Sequence, residues 1–169
     1  GSDLVKTEVL GLKSNRFTRG HRFHCPDMLR VPSADRYVST LKSSGYVLAD
    51  YDTRRSLIEK QVNRLARKEG GRALIAPSLL DEVTGLVEWP VSLLGSFEER
   101  FLKLPGEVLV STMEDHQKYF SITSDKGRPM PMFIAVSNIK SKSPKRVRQG
   151  NERVLRARLS DAEFFWNTD

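Results

Sequence analysis

Between Asp52 and Glu69 the apolar residues Ile58, Val62, Leu65 and Ala66 recur at i, i+4, i+7 and i+8, one stripe of a 3.6-residue period. That spacing predicts a helix over 52–69, ended by Gly70-Gly71. Ser78, followed three residues on by Asp81, predicts the N-cap of a second helix reaching about Glu88, with Pro90 breaking the chain. Residues 3–24 alternate instead, with Leu4, Val9 and Leu10 ahead of the run Arg16 to His24. The pattern predicts strand, turn, strand with Gly20 as the turn residue. Ser33 predicts the N-cap of a short helix from Ala34 to about Ser43, closed by Gly45, and then a short strand over Tyr46–Ala49. Downstream, Val91–Leu94 reads as a buried strand, Phe97–Leu102 as a helical turn, Glu107–His116 as a helix and Tyr119–Ile122 as a strand. Asp125–Pro129 is a turn, and Met132–Val136 is the strongest strand in the chain. After the polar loop Ser141–Pro144 a long helix follows, with Val154, Leu155, Ala162 and Phe165 as its apolar face.

Mixed helices and strands without a βαβ rhythm predict an α+β fold. The organisation expected is one domain over 3–143 and a long helix over 144–169 leading toward a following domain. Gly1-Ser2 reads as a scar of expression. The last residues end without a cap or breaker, as if a helix had been cut, so the chain reads as an excised piece.

Composition changes this picture in one respect. With 169 residues, 38% hydrophobic and 29% charged, the chain is ordinary for a globular protein able to bury a core. Nothing in it approaches the roughly 18 apolar residues of a membrane span, or resembles a targeting peptide. A single cysteine, Cys25, rules out an internal disulfide and suits a reducing compartment. The net charge of +7 and the pI near 9.7, however, describe a surface that attracts polyanions and loses that attraction as salt rises. Charge alone does not identify nucleic acid.

Candidate chemistry is sparse. His21-Arg22-Phe23-His24-Cys25 places three possible ligands within five residues, with His116 elsewhere, but zinc sites use two spaced pairs and no second pair is present. The segment reads as structural or as an RNA contact through His21 and Arg22, and no metal ligand is assigned. His116 reads as a structural histidine or a helix-end charge. No serine or cysteine has an identifiable base, so no catalytic residue is assigned. Asp81, Glu82 and Glu88 could serve acid–base work or Mg²⁺, but carboxylates on one helix more often complement its first turn. Gly70-Gly71 lacks the Gly-Lys-Ser/Thr of a P-loop. Lys140-Ser141-Lys142-Ser143 superficially matches a class I synthetase loop without its partner signature. The basic surfaces are more informative. Lys60, Arg64 and Arg67 lie at i, i+4 and i+7 opposite the apolar stripe, as a solvated face or a phosphate-binding one. Arg148, Arg153 and Arg156 on the last helix are the second set of candidates for binding a polyanion. Arg158 falls within that helix's expected apolar face, which predicts a buried, ion-paired guanidinium.

Several runs resemble the glycyl-tRNA synthetase β-subunit family. They are Arg19-Gly20-His21-Arg22-Phe23, Leu80 to Val91, Phe101-Leu102-Lys103-Leu104-Pro105, His116-Gln117-Lys118-Tyr119-Phe120, Phe133 to Ile139, and Gly150 to Phe165. They are ordered and span nearly the whole chain.

The resemblance implies a cytoplasmic α2β2 enzyme that attaches glycine to its tRNA with ATP. In that family the activation core, with its ATP and Mg²⁺, lies on the α subunit, so no cofactor is expected here. The β subunit contributes tRNA binding, an anticodon-reading region and an HD-type domain, and this chain looks like the part upstream of the last two. The partners implied are the α subunit and glycine tRNA, with neither membrane nor DNA. The resemblance also implies a fold akin to the editing-type domain of the phenylalanyl-tRNA synthetase β subunit, and hence a rival role as an editing hydrolase. Glycine is the smallest amino acid, so larger competitors can be refused sterically without editing. A scaffold that contacts tRNA is the expected role, with an editing domain or a subunit-interface module as alternatives.

Overall fold

The computed structural model describes residues 3–168; the expected scar over 1–2 lies outside them. Its centre is a four-stranded antiparallel sheet in the order β5 (Gly71–Ala73), β7 (Phe120–Ser124), β8 (Pro129–Ser137), β6 (Val91–Ser96). The β7–β8 hairpin turns at Gly127, whose φ of 73° suits glycine, in the segment expected to turn. Strand alternation divides β8 between two cores. Ile134 joins Phe120 and Ile122 against α2 (Tyr51–Lys68) and α3 (Pro77–Leu86) on one side. Phe133 and Ala135 join Leu109, Met113, Leu155 and Leu159 on the other, where α4 (Gly106–Gln117) and α5 (Pro144–Thr168) lie. The result is α+β, a sheet covered by helices on both faces. No helix among the described residues is long and apolar enough to cross a membrane.

The α2 stripe is the expected one: Ile58, Val62 and Ala66 are fully buried and Leu65 is half-buried. Asp50 caps the helix by accepting from the Thr53 N–H at 2.8 Å, and Gly70 ends it at φ 72°. For α3 the expected cap is displaced. Ala76 is the N-cap, with Pro77 occupying the first turn, where its missing N–H costs nothing. Ser33 likewise makes no side-chain cap; a 3₁₀ turn over Ala34–Arg36 leads into α1 (Tyr37–Ser43).

Two expectations for the first half need correction. Gly20 is not the turn of a tight hairpin. The turn falls at Leu10-Gly11 (φ 50° and 77°) between β1 (Glu8–Val9) and β2 (Leu12–Lys13), and β3 (Phe17–Arg19) pairs with β4 (Met28–Arg30) across a longer loop. Gly20 is instead where two backbones meet, since a Cβ there would sit 2.7 Å from the Gly45 carbonyl oxygen. Tyr46–Ala49 is not a strand. Tyr46 takes φ 54°, and the Leu48 and Ala49 carbonyls are captured by the Arg54 guanidinium, which also binds the Thr84 carbonyl at 2.9 Å.

The apolar face of α5 also differs. Leu155 and Leu159 are fully buried and Ala162 packs beside them, whereas Val154 and Phe165 are exposed. The stripe is i, i+4, i+7, and Arg158 falls at its edge, in solvent. Among the described residues it has no ion-pair partner. The buried pair expected for Arg158 is therefore not formed.

Candidate nucleic-acid interface

The α2 helix has a fixed orientation because Ile58, Val62 and Ala66 of its apolar stripe are fully buried, and its opposite face presents Lys60, Arg64 and Arg67 to solvent. None of the three has an ion-pair partner among the described residues. With Glu59 and Asn63 they line a shallow groove along the helix. The cations of α5 are differently placed. Arg156 pairs with Glu98 at 2.5 Å and Arg148 approaches Glu152 at 3.7 Å, leaving Arg153 exposed and unpaired among the described residues. Arg22 is exposed, with its guanidinium 5.7 Å from the Phe23 ring centroid.

His21 is not available to a ligand, being only 1% exposed. Its Nε2 lies 2.6 Å from the Asn138 carbonyl oxygen, and its Nδ1 accepts from the backbone N–H groups of Phe23 and His24 at 3.2 and 3.3 Å. That pattern assigns the neutral tautomer with the proton on Nε2. A backbone N–H of His21 also donates to the Gly45 carbonyl at 2.6 Å. Next to it, His24 Nε2 accepts from the Lys140 N–H at 3.0 Å. Burial, with the nearby His21, holds the His24 imidazole below its ordinary value. The rings of His21, His24, Tyr46 and Trp89 follow one another at 4.7, 5.1 and 5.4 Å between centroids. The histidine segment is thus a lock that fastens the β3–β4 hairpin to the end of β8. Cys25 remains a free thiol, and no group of three metal-ligating side chains occurs among the described residues.

The carboxylates of α3 are structural. Asp81 accepts from Arg55 Nε at 2.7 Å and from the Tyr51 hydroxyl at 3.2 Å, and the Arg55 hydrogen bond holds its carboxyl below the usual range. Glu82 pairs with Lys118 at 2.9 Å. Both lie past the first helical turn, so they answer a cation of α2 and the C-cap lysine of α4 rather than the helix dipole. His116 is exposed in the last turn of α4, a helix-end position.

Sequence reasoning missed Asn138. Its side-chain oxygen accepts from the Glu88 and Trp89 N–H groups at 2.7 and 3.0 Å, while its backbone carbonyl receives His21. One residue thereby joins the histidine lock to the loop before β6. Gln61 does similar work, donating to the Pro90 carbonyl and accepting from the Ser92 N–H. No local signal marks either residue, because their partners lie about thirty or more positions away.

Comparison with known proteins bears on the whole chain. A family model described as "Glycyl-tRNA synthetase beta subunit" matches residues 1–169. The glycine–tRNA ligase beta subunit of Pseudomonas aeruginosa (strain LESB58) is 52% identical over 169 residues, covering 100% of this chain and 25% of the relative. Those of Marinobacter nauticus and Hahella chejuensis are 52% and 48% identical, again over 100% of this chain and 24% of theirs. The chain spans about a quarter of the length of the curated relatives it matches.

Proposed function

The chain belongs to the glycyl-tRNA synthetase β-subunit family, and we propose that within a glycine–tRNA ligase it is a non-catalytic scaffold that contacts tRNA. On this reading it works in the cytoplasm, beside an α subunit that holds ATP, Mg²⁺ and the activation chemistry, in an α2β2 enzyme that attaches glycine to its tRNA. The observation that carries it is the α2 face. Lys60, Arg64 and Arg67 stand unpaired among the described residues on a helix whose other side is locked into the core. Cations held on a rigid element and free of carboxylate partners can neutralise phosphates without first breaking an ion pair. Arg153 and Arg22 extend the basic surface. Arg148 and Arg156 would have to leave Glu152 and Glu98 to join it.

The editing alternative rests on the likeness to the phenylalanyl-tRNA synthetase editing domain that the resemblance implies, but the residues favour the scaffold. A hydrolase needs a base or a metal-bound water. His21 spends both ring nitrogens on backbone groups, and His24 Nε2 is taken by the Lys140 N–H. The chain alone is expected to show no glycine-dependent pyrophosphate exchange and no deacylation of alanyl- or seryl-tRNA. Hydrolysis that disappears on changing His24 would put editing first.

The direct test replaces Lys60, Arg64 and Arg67 by alanine and follows tRNA binding across a salt series. Affinity should fall alike for glycine tRNA and an unrelated tRNA, since phosphate contacts carry no base identity. The slope of log K against log salt should flatten by up to about 0.9 per lost contact, if the duplex value applies. An unchanged slope would remove α2 from the RNA surface.

A further inference from the structure

The basic groove on α2 continues at both ends. Toward the start of the helix it meets a cleft of about 710 Å³ whose lining includes Lys42, Thr53, Ser56, Lys60, Trp89 and Pro90. Lys60 belongs to both cleft and groove. Toward the other end, Asn63 and Arg67 are shared with a hollow bounded by Gly70, Gly71 and Arg72. The three concavities follow one another along α2 as a segmented trough, each neighbouring pair sharing lining residues. From Thr53 to Arg67 it is about 21 Å long at 1.5 Å per helical residue.

Its two ends differ in chemistry. Along the helix the trough offers the cations Lys60, Arg64 and Arg67, opposed by Glu59; Asp125 at the far end is taken by Arg72 at 3.1 Å. At the cleft end the lining is mainly apolar and includes an indole. Trp89 is half-buried; its backbone N–H donates to the Asn138 side-chain oxygen at 3.0 Å, and its ring meets the Tyr46 ring edge-to-face at 5.4 Å and 70°. Lys42 and Lys60 line the same cleft, neither ion-paired among the described residues, and Asp52 is the one carboxylate of the cleft lining. A packed aromatic that shares its cleft with two cations, next to a basic track, suits a polyanion that carries flat apolar rings. Single-stranded nucleic acid has that composition, and bases stack on such platforms with little regard to identity. A duplex keeps its bases inside and can use only the track.

We infer that the cleft at Trp89 takes an unpaired nucleobase of an RNA whose backbone follows Lys60, Arg64 and Arg67. The inference rests on the reading of α2 as an RNA face and adds a single-strand preference to it. Tyr46, through its ring, and Asn138, through the Trp89 backbone N–H, act as positioning residues for Trp89.

The test uses the 169-residue chain with two RNA hairpins, one blunt and one carrying a short single-stranded 3′ overhang. The overhang hairpin should bind wild type more tightly than the blunt one. Trp89→Leu should lose that advantage, by about fivefold or more for one stacked base. Its affinity for the blunt hairpin and its salt slope should be unchanged. In a Trp166→Phe background, which leaves Trp89 as the sole tryptophan, the overhang hairpin should quench indole fluorescence and the blunt hairpin should not; this readout does not depend on the stability of the Trp89 variant. Equal binding of both hairpins to wild type, without quenching, would overturn the inference and leave the α2 reading standing. That reading falls separately, if the triple alanine variant binds the blunt hairpin as wild type does.

Discussion

His24 shows how a single side chain ties pH to the attachment of a substructure. Its Nε2 is an acceptor for the Lys140 N–H, which it can be only while neutral, and burial beside His21 depresses its affinity for a proton. The folded state then binds fewer protons than the unfolded chain just below the ordinary value of 6.5. Stability from this group is complete above 6.5 and declines as pH falls toward the depressed folded value. Between pH 7.5 and 5.5 the melting temperature of wild type should therefore drop more than that of His24→Gln, which keeps an acceptor and does not titrate. Parallel profiles would show that the Lys140 contact carries no weight. Gly95 is a second residue whose identity the packing requires. A Cβ there would stand 2.3 Å from the Phe133 ring, which is itself stacked on Tyr119 at 4.7 Å. Gly95→Ala should cost about 1–3 kcal/mol by overpacking, read from urea unfolding. A neutral result would mean that the ring can shift.

At the scale of elements, what was legible followed from periodicity and length. Helix α2 carries four apolar residues on one stripe, and β8 carries an unbroken apolar run, so each was readable without its neighbours. Strand β5 was not readable. Gly71-Arg72-Ala73 has no strand propensity and becomes a strand only because β7 pairs with it, with Gly71 allowing Ile122 and Met130 to close over the backbone. The segment over 46–49 failed in the opposite sense, since its apolar residues suggested a strand while Arg54 took its carbonyls. In α5 the expected face of Val154, Leu155, Ala162 and Phe165 passes over Leu159, and its centre falls near Arg158; Leu155 and Ala162 do pack, but Leu159 turns the stripe away from Arg158. The corrected stripe makes a sharp contrast. Leu155→Ala should cost about 2–5 kcal/mol as a core cavity. Arg158→Ala should stay within about 0.5 kcal/mol, as for an exposed side chain without partners. A large loss at Arg158 in denaturant titration would restore a buried role.

At the scale of the molecule, the candidate interface was legible as net charge and as a helical spacing. Which cations are free was not, because that depends on distant carboxylates: Glu98 and Glu163 reach Arg156 and Arg100 across the α5 side, and among the described residues no acid does this for Lys60, Arg64 or Arg67. The trough at Trp89 was equally hidden, since Lys42, Lys60 and Trp89 meet only through tertiary contacts. Whether that trough is a rigid track depends on how the two cores are joined. Ile134 fills one and its neighbour Phe133 fills the other, so neither core can be lost without exposing the strand they share. A helix resting on one core is then coupled to the other through that strand, which is expected to keep the α2 face in place until both cores unfold. Two tryptophans sit on either side of the sheet to report this. Trp89 borders the α2 cleft, and Trp166 lies exposed near the end of α5. In Trp166→Phe and Trp89→Phe variants, each with one indole left, denaturant unfolding should give slopes and cooperativity matching far-UV circular dichroism within each protein. Ile134→Ala and Phe133→Ala should each lower that single transition as a whole, by about 2–5 kcal/mol. If Phe133→Ala releases the α5 side at lower denaturant while the Trp89 signal holds, the cores are separable, and the α2 track owes its rigidity to its own side alone.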